Sequence, residues 1–254
     1  MSLELTVLGS GNYAPGRGKT VRNPAGYAVR AGEDLVLFDL GFGNVRQLAR
    51  AGLRSEEVTD VFLSHRHPDH CGDLPALLFA FHGGPHPKPR SGLLRVHGPA
   101  GTRELVAGLC KVWKPWLDPK GYALEVRELA DGAEVQGVGW VVEAKSVPHT
   151  TAALAYRISR GSSSLVYSGD MEYDEGFARF AASCDLLLVE CTADADDAVA
   201  GHLSVRQALA LSRAAKAGHT LLTHLSDASA EEAARRVEGD ACVELARDLM
   251  TKRI

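Results

Sequence analysis

Residues 3–8 (Leu-Glu-Leu-Thr-Val-Leu) alternate apolar and polar side chains, the period-two pattern of a half-buried strand, and Gly9-Ser10-Gly11 ends it. Two further strand-like runs, 26–31 and 35–39, pair across Gly32-Glu33-Asp34, with Gly41 and Gly43 stopping the second. The intervening residues 11–24, rich in Gly, Pro, Asn and Arg, read as a loop. Residues 44–51 carry helical spacing. A short apolar run of buried type at 61–64 leads straight into a histidine-rich turn, and residues 74–81 beyond it are helical. A Pro/Gly loop over 83–92, carrying Lys88 and Arg90, precedes a strand at 93–97, a helix at 102–112 and strands at 123–128 and 140–146. A hairpin is expected over 153–158 and 165–168, turned at 160–163. The last third alternates helix 175–182, strand 186–190, helix 205–217, strand 220–223 and helix 230–238, with a strand or helix at 241–249.

Strand-rich blocks with interleaved helices predict sheets covered by helices, an α/β layered architecture. No repeat, low-complexity tract or linker divides the chain, so residues 1–254 are expected to form one domain. Composition is that of an ordinary globular protein, 45% apolar and 24% charged, with a net charge of −4. That balance argues against broad, non-specific phosphate binding, though it leaves room for a local basic patch. The apolar stretches fall well short of the ~20 residues a membrane span needs. The N-terminus lacks the basic-then-apolar pattern of a secretory signal. The five cysteines (71, 110, 184, 191, 242) are odd in number and never spaced Cys-x-x-Cys. A disulfide framework or Cys-rich zinc knuckle is therefore not expected, and the expectation for location is the cytoplasm.

The chemistry concentrates in His65-Arg66-His67-Pro68-Asp69-His70, directly after Val61-Phe62-Leu63 and before Gly72. A strand end running into a tight loop lets a rigid scaffold aim several side chains at one point. Imidazole and carboxylate are ligands for Zn²⁺, Mn²⁺ or Fe. Three histidines and an aspartate exceed what one catalytic metal takes, so two metals are expected. A surface His-rich turn is the bland alternative, and the adjacent buried strand weighs against it.

His-x-His-x-Asp-His after a core strand resembles the signature of the metallo-β-lactamase superfamily. Later residues fall in that family's order: His149 in Val147-Pro148-His149, Asp170 in Ser168-Gly169-Asp170, and His224 in Leu222-Thr223-His224. The resemblance implies a four-layer αββα sandwich. It implies one metal on His65, His67 and His149, a second on Asp69, His70 and His224, and Asp170 bridging them. Asp39, in Leu37-Phe38-Asp39-Leu40-Gly41, matches an early strand-end aspartate that would orient a ligand or loop; a turn cap is the alternative.

Within the superfamily the sequence is similar to the ribonuclease Z branch. Asp69-His70-Cys71-Gly72-Asp73-Leu74-Pro75 looks like its first motif, and His149 to Tyr156 resembles its His-Ser-x4-Gly-Tyr segment with Ala155 in place of glycine. Gly201-His202-Leu203-Ser204 and Leu222-Thr223-His224-Leu225-Ser226 resemble two later segments. This likeness implies that His202 delivers a proton to the scissile phosphate, assisted by Glu190, with Asp69 able to accept a proton while it ligates. A capping role for His202 or Ser204 and a merely buried Glu190 are the structural alternatives. Two features depart from that branch. Only twenty residues separate His149 from Asp170, which leaves no place there for the long arm that grips transfer RNA, and the chain is acidic. A small phosphodiester or short nucleic acid is therefore an equally good substrate, transfer RNA is weakened, and a homodimer is compatible with the likeness.

Gly16-Arg17-Gly18-Lys19-Thr20 ends like a phosphate-binding loop, but Tyr13 stands where the first glycine is required and a strand follows. Arg17, Lys19 and Arg22 are expected at most to help hold an anion. The expected reaction is hydrolysis by a water that two cations activate. The rivals are an ester, lactone or thioester hydrolase on the same metals and a non-catalytic metal-binding or regulatory module. An intact ligand set weighs against the last. A flavodiiron-type redox enzyme is disfavoured by the absence of a ligand replacement and of a flavin domain.

Overall fold

The computed structural model describes residues 2–13, 21–83, 91–194 and 199–254. The possible anion-binding residues Arg17, Lys19, Lys88 and Arg90, and the Gly16–Thr20 segment, lie outside them. In chain order the elements are β1 (Glu4–Gly9), β2 (Gly26–Ala31), β3 (Asp34–Leu40), α1 (Asn44–Arg50), β4 (Val58–Phe62), α2 (Pro68–Cys71), α3 (Leu74–Gly83), β5 (Gly92–Gly98), α4 (Thr102–Val112), β6 (Tyr122–Glu128) and β7 (Glu134–Gln136). Then follow β8 (Val141–Val147), β9 (Ala153–Arg160), β10 (Ser163–Tyr167), α5 (Glu175–Phe180), β11 (Leu186–Glu190), α6 (Val205–Ala215), β12 (His219–Thr223), α7 (Asp227–Arg236), β13 (Val243–Leu245) and β14 (Thr251–Arg253).

The strands form two seven-stranded mixed sheets, ordered β14-β1-β2-β3-β4-β5-β6 and β13-β12-β11-β10-β9-β8-β7. Strand periodicity explains the layering. In β3, Val36 and Phe38 join Tyr27, Val29 and Phe62 against Trp140, Tyr156, Ile158 and Tyr167 of the other sheet. Leu35 and Leu37 point the opposite way, into a core built with Leu48 of α1, Leu74, Leu77 and Leu78 of α3 and Val106 of α4. The second sheet is covered likewise: Leu187 and Val189 of β11 pack with Phe177 of α5, Ala208 and Leu211 of α6 and Ala233 of α7. Central strands buried on both faces read as continuous apolar runs rather than clean alternation. The result is the expected αββα sandwich.

Several expected boundaries move, each for a local reason. The strand expected at 61–64 spans Val58–Phe62. Leu63 still donates to the His97 carbonyl, but the Ser64 amide turns away to the Asp39 carboxylate. The helix expected from 230 begins at Asp227, because Ser226 and Ser229 close a reciprocal cap there. The segment at 241–249 holds only the three-residue β13, and β7 and β14, also of three residues, were not anticipated. Three residues are too few to display a period.

Candidate metal centre

Strand ends build the site. The His65–His70 turn follows β4, His149 follows β8, Asp170 follows β10 and His224 follows β12, while Asp39 and Glu190 lie at the ends of β3 and β11. β3–β5 run parallel in one sheet and β10–β13 in the other, so their carboxyl ends open on one rim, where α/β sheets hold ligands. α2 supplies one turn inside the motif, with Pro68 in its first turn, and turns Asp69 and His70 inward.

All seven expected ligand side chains converge. His65, His67, His149 and Asp170 each offer an atom, all within 4.8 Å of one another; Asp69, His70 and His224 form a second such group. His65 Nε2 lies 2.9 Å and His149 Nε2 3.4 Å from His67 Nδ1. His70 Nε2 is 3.1 Å from His224 Nε2. Asp170 Oδ2 sits between the groups, 3.2 Å from His70 Nε2, 3.4 Å from His224 Nε2 and 3.8 Å from His65 Nε2. Asp69 Oδ2 is 3.5 Å from His224 Nε2.

The residues suit divalent cations. Four of the histidines have one ring nitrogen engaged outside the cluster, leaving the other facing in. His149 Nδ1 meets the Gly201 carbonyl at 2.7 Å, His70 Nδ1 meets Asp39 Oδ2 at 2.7 Å, His224 Nδ1 meets Thr192 Oγ1 at 2.6 Å, and His65 Nδ1 meets Ser64 Oγ at 3.0 Å. Such partners fix tautomer and ring orientation in metal sites. Asp170 Oδ1 is buried with no hydrogen-bond partner, while Oδ2 of the same carboxylate lies among imidazoles. Inward-facing imidazole nitrogens and an unpaired anionic oxygen form a donor set that a cation satisfies.

Electrostatics follow burial and neighbours. Burial, reinforced by His70, holds His65 far below its ordinary value, and burial lowers His67 and His149 as well. These three imidazoles are therefore neutral at neutral pH, the form that can ligate a cation. Burial opposes the charge on His70, but Asp170 and Asp39 outweigh it and raise the pKa. Burial likewise opposes ionisation of Asp170, and the charges of His224 and His70 outweigh it, holding the carboxyl well below the usual range.

Asp39 bonds both a backbone amide of the turn and a histidine of the cluster. It is fully buried and accepts from the Ser64 amide at 2.6 Å, Ser64 Oγ at 2.6 Å, Tyr167 Oη at 2.6 Å and His70 Nδ1 at 2.7 Å. Its backbone sits at φ 57, and that of His224 at φ 55, a left-handed conformation seldom adopted outside glycine.

His202 Nδ1 lies 3.1 Å from Glu190 Oε1 and 3.7 Å from Asp170 Oδ2, and its ring stacks 5.5 Å from that of His224. The α6 cap belongs to Ser204 and Gln207, so His202 is not a cap. Burial lowers the His202 pKa, but the hydrogen bond and charge of Glu190 outweigh it, and the net shift is upward. Glu190 also accepts from the Met171 amide and from Thr192 Oγ1. Arg22, weighed above as an aid to anion binding, turns inward to Ser10 Oγ and the Ala246 carbonyl.

Sequence reasoning passed over Ser64, Tyr167 and Thr192, which brace Asp39, His70 and His224. It also passed over Phe42 as a wall of the cavity, which Tyr13, Pro68, His67, Asp69, Asp170, Thr192, His202 and His224 line as well. Only Ser64, adjoining the motif, carried a positional signal.

Comparison with known proteins agrees with this geometry. Residues 35–225 match the Beta-lactamase superfamily domain. A Ribonuclease Z of Methanothermobacter thermautotrophicus is 27% identical over 98% of this chain and 96% of its own. The probable metallo-hydrolase YhfI of Bacillus subtilis is 30% identical over 88% of this chain and 87% of its own, and its crystal structure superposes with a TM-score of 0.83 at 25% identity, covering 100% and 99% of the two chains. The short form of human tRNase Z shares the fold, with a TM-score of 0.77 at 23% identity over 98% of each chain.

Proposed function

The chain belongs to the β-lactamase superfamily, and from that membership we propose that it is a metal-dependent phosphodiesterase of the ribonuclease Z kind, acting on a small phosphodiester or a short nucleic acid. The observation that carries the reading is the buried Asp170 carboxylate, whose Oδ2 lies among inward-facing imidazoles from both sheets and whose Oδ1 has no hydrogen-bond partner. His65, His67 and His149 would hold one divalent cation, Asp69, His70 and His224 a second, with Asp170 shared. Zinc suits these donors best, and manganese or iron also suits them. Bound there, the cations supply Lewis acidity, making a water acidic enough to ionise near neutral pH and offsetting phosphate charge.

The chain's own residues do the rest. Asp39, Thr192, Ser64 and the Gly201 carbonyl hold four imidazoles in their ligating orientation. Glu190 fixes the His202 ring beside Asp170 and favours its protonated form, so His202 can give a proton to the leaving oxygen as a general acid. Asp69 can accept a proton while it ligates. Between His149 and Asp170 the chain forms only the β9–β10 hairpin, so no RNA-gripping arm stands at that place. No helix among the described residues is long and apolar enough to cross a membrane.

The test is metal quantification on purified protein, coupled to a rate screen over phosphodiesters, RNA, carboxylic esters and lactones. Stoichiometric divalent metal with turnover of phosphodiesters is the expected result. Turnover of esters or lactones alone would replace the substrate class. Protein that binds no metal and hydrolyses nothing would overturn the reading.

A further inference from the structure

Phe42 is half exposed, a large apolar ring that the core does not use. Its position is nonetheless rigidly built. It sits between Gly41 and Gly43 in the loop from β3 to α1. A Cβ on Gly41 would lie 2.1 Å from the Asp69 carbonyl oxygen, so the loop is pressed directly beneath the metal-motif turn. A Cβ on Gly72 would lie 2.2 Å from Phe42 Cε1, so one part of the ring rests on bare backbone. Asp73 locks both flanks: its amide donates to the Leu40 carbonyl at 2.9 Å, and its carboxylate accepts from the Val45 amide at 2.8 Å. The remaining ring surface lines the same cavity as His67, Asp69, Asp170 and His202.

Tyr13 lines this cavity too and is 74% exposed. The chain just before it is tied to the site: the Asn12 amide donates to the Leu225 carbonyl, one residue beyond His224. The cavity measures about 450 Å³, toward the lower end of the ~300–1,000 Å³ typical of small-ligand sites. One nucleotide-sized unit suits it better than a long polymer segment.

From these features we infer that Phe42, with Tyr13, is a stacking platform for the base of a nucleoside phosphodiester, and that it selects such esters over aliphatic ones. This rests on the phosphodiesterase reading. The histidine and aspartate groups account for the phosphate, and neither aromatic wall has a part in that chemistry. An exposed aromatic ring lining the cavity of a phosphate site fits a nucleobase, which stacks whatever its sequence. Preorganisation on Gly72 and Asp73 lets the ring bind without first being ordered. Phe42 is thus a specificity-determining residue and takes no part in bond cleavage.

Two diesters with the same leaving group test this: thymidine 5′-(p-nitrophenyl phosphate) and methyl p-nitrophenyl phosphate. The parent is expected to prefer the nucleoside ester, and Phe42→Ala to reduce the kcat/KM preference roughly tenfold, mainly through KM. Phe42→Leu, which keeps apolar bulk on Gly72 without an aromatic face, should show the same loss, and Phe42→Trp should retain the preference. Calorimetric titration with thymidine 5′-phosphate against methyl phosphate gives a readout independent of turnover, and the nucleotide's advantage should shrink in Phe42→Leu. A preference unchanged in Phe42→Leu by both readouts overturns the platform and leaves the phosphodiesterase reading standing. If neither diester is cleaved, the reaction assignment fails, and the calorimetric comparison alone decides the platform: a nucleotide advantage lost in Phe42→Leu upholds it, and no advantage overturns it.

Discussion

Asp39→Asn is the sharpest perturbation of the centre, because it changes charge and lone pairs while preserving shape. The carboxylate is fully buried and accepts four donors. Oδ1 takes the Ser64 amide, and Oδ2 takes Ser64 Oγ, Tyr167 Oη and His70 Nδ1. An amide offers one oxygen and two N–H donors. With its oxygen at the Oδ2 position, its NH₂ would face the Ser64 amide at the present 2.6 Å, donor against donor. Rotated the other way, it keeps that bond and sets NH₂ against the His70 Nδ1–H, even where the Ser64 and Tyr167 hydroxyls turn to accept. Either way at least one buried donor goes unpaired, at a cost of about 1–3 kcal/mol. His70 also loses the anion that fixes its Nδ1 proton and so points Nε2 at the cluster. Loss of such an orienting partner weakens metal sites ~10–100-fold, about 1.4–2.8 kcal/mol. The assay is zinc titration of metal-free protein in competition with a chromophoric chelator, with circular dichroism to verify the fold. A folded Asp39→Asn protein that binds zinc within about twofold of the parent would refute the orienting role.

His67→Ala and Asp170→Ala should abolish phosphodiester hydrolysis with little change in circular dichroism; a variant that still cleaves bis(p-nitrophenyl) phosphate at the parental rate would remove these residues from the mechanism. His202→Ala should lower kcat far more for an alkyl leaving group than for p-nitrophenolate, since only the poorer leaving group needs a proton, and equal losses on both would contradict general-acid action. Far from the site, Asp60 is fully buried and takes Arg95 in two bonds of 2.7 and 2.9 Å and His97 at 2.8 Å. Asp60→Asn should cost about 3 kcal/mol in urea unfolding, because it leaves a half-buried guanidinium unpaired. Burial opposes the Asp60 charge, but His97 and Arg95 outweigh it and lower the pKa below its ordinary 3.8. Burial also lowers His97 below its ordinary 6.5. In both cases the unfolded chain binds the proton more readily, so the stability they give is full above those ordinary values and falls as pH drops through about 6.5 and then below 4. A parent-minus-Asp60→Asn stability difference that grows on acidification from pH 7 to 4 would contradict the sign.

How much was readable in advance divides along sequence distance. The His65–His70 turn announces itself because four ligating groups fall within six residues behind an apolar strand. Asp170 and His224 carry no such signal. Each is a lone polar residue at a strand end, and only the family's order singled them out. Tyr167 reads as an ordinary apolar strand position, yet its hydroxyl reaches Asp39 across 128 residues. Phe42 looks like a loop residue between glycines, and the reasons for those glycines appear only in the fold: the Asp69 carbonyl presses on Gly41, and Gly43 holds a left-handed φ of 85. Periodicity located the long elements because burial on one face repeats along them, whereas β7, β13 and β14 owe their place to neighbouring strands.

The centre is also where the two halves of the sandwich meet. His65, His67, Asp69 and His70 come from the rim of one sheet, and His149, Asp170 and His224 from the rim of the other. The second sheet's Tyr167 reaches across to Asp39, and Tyr156 Oη donates to the Leu63 carbonyl at 2.7 Å, so the sheets are joined by hydrogen bonds next to the histidine and aspartate cluster. Those buried bonds tie the two rims together. The unpartnered Asp170 Oδ1 and the left-handed backbone at Asp39 and His224 are costs carried at the same rim. A cation at this rim would satisfy the unpaired carboxylate oxygen of Asp170, whereas the left-handed backbone at Asp39 and His224 persists with or without it.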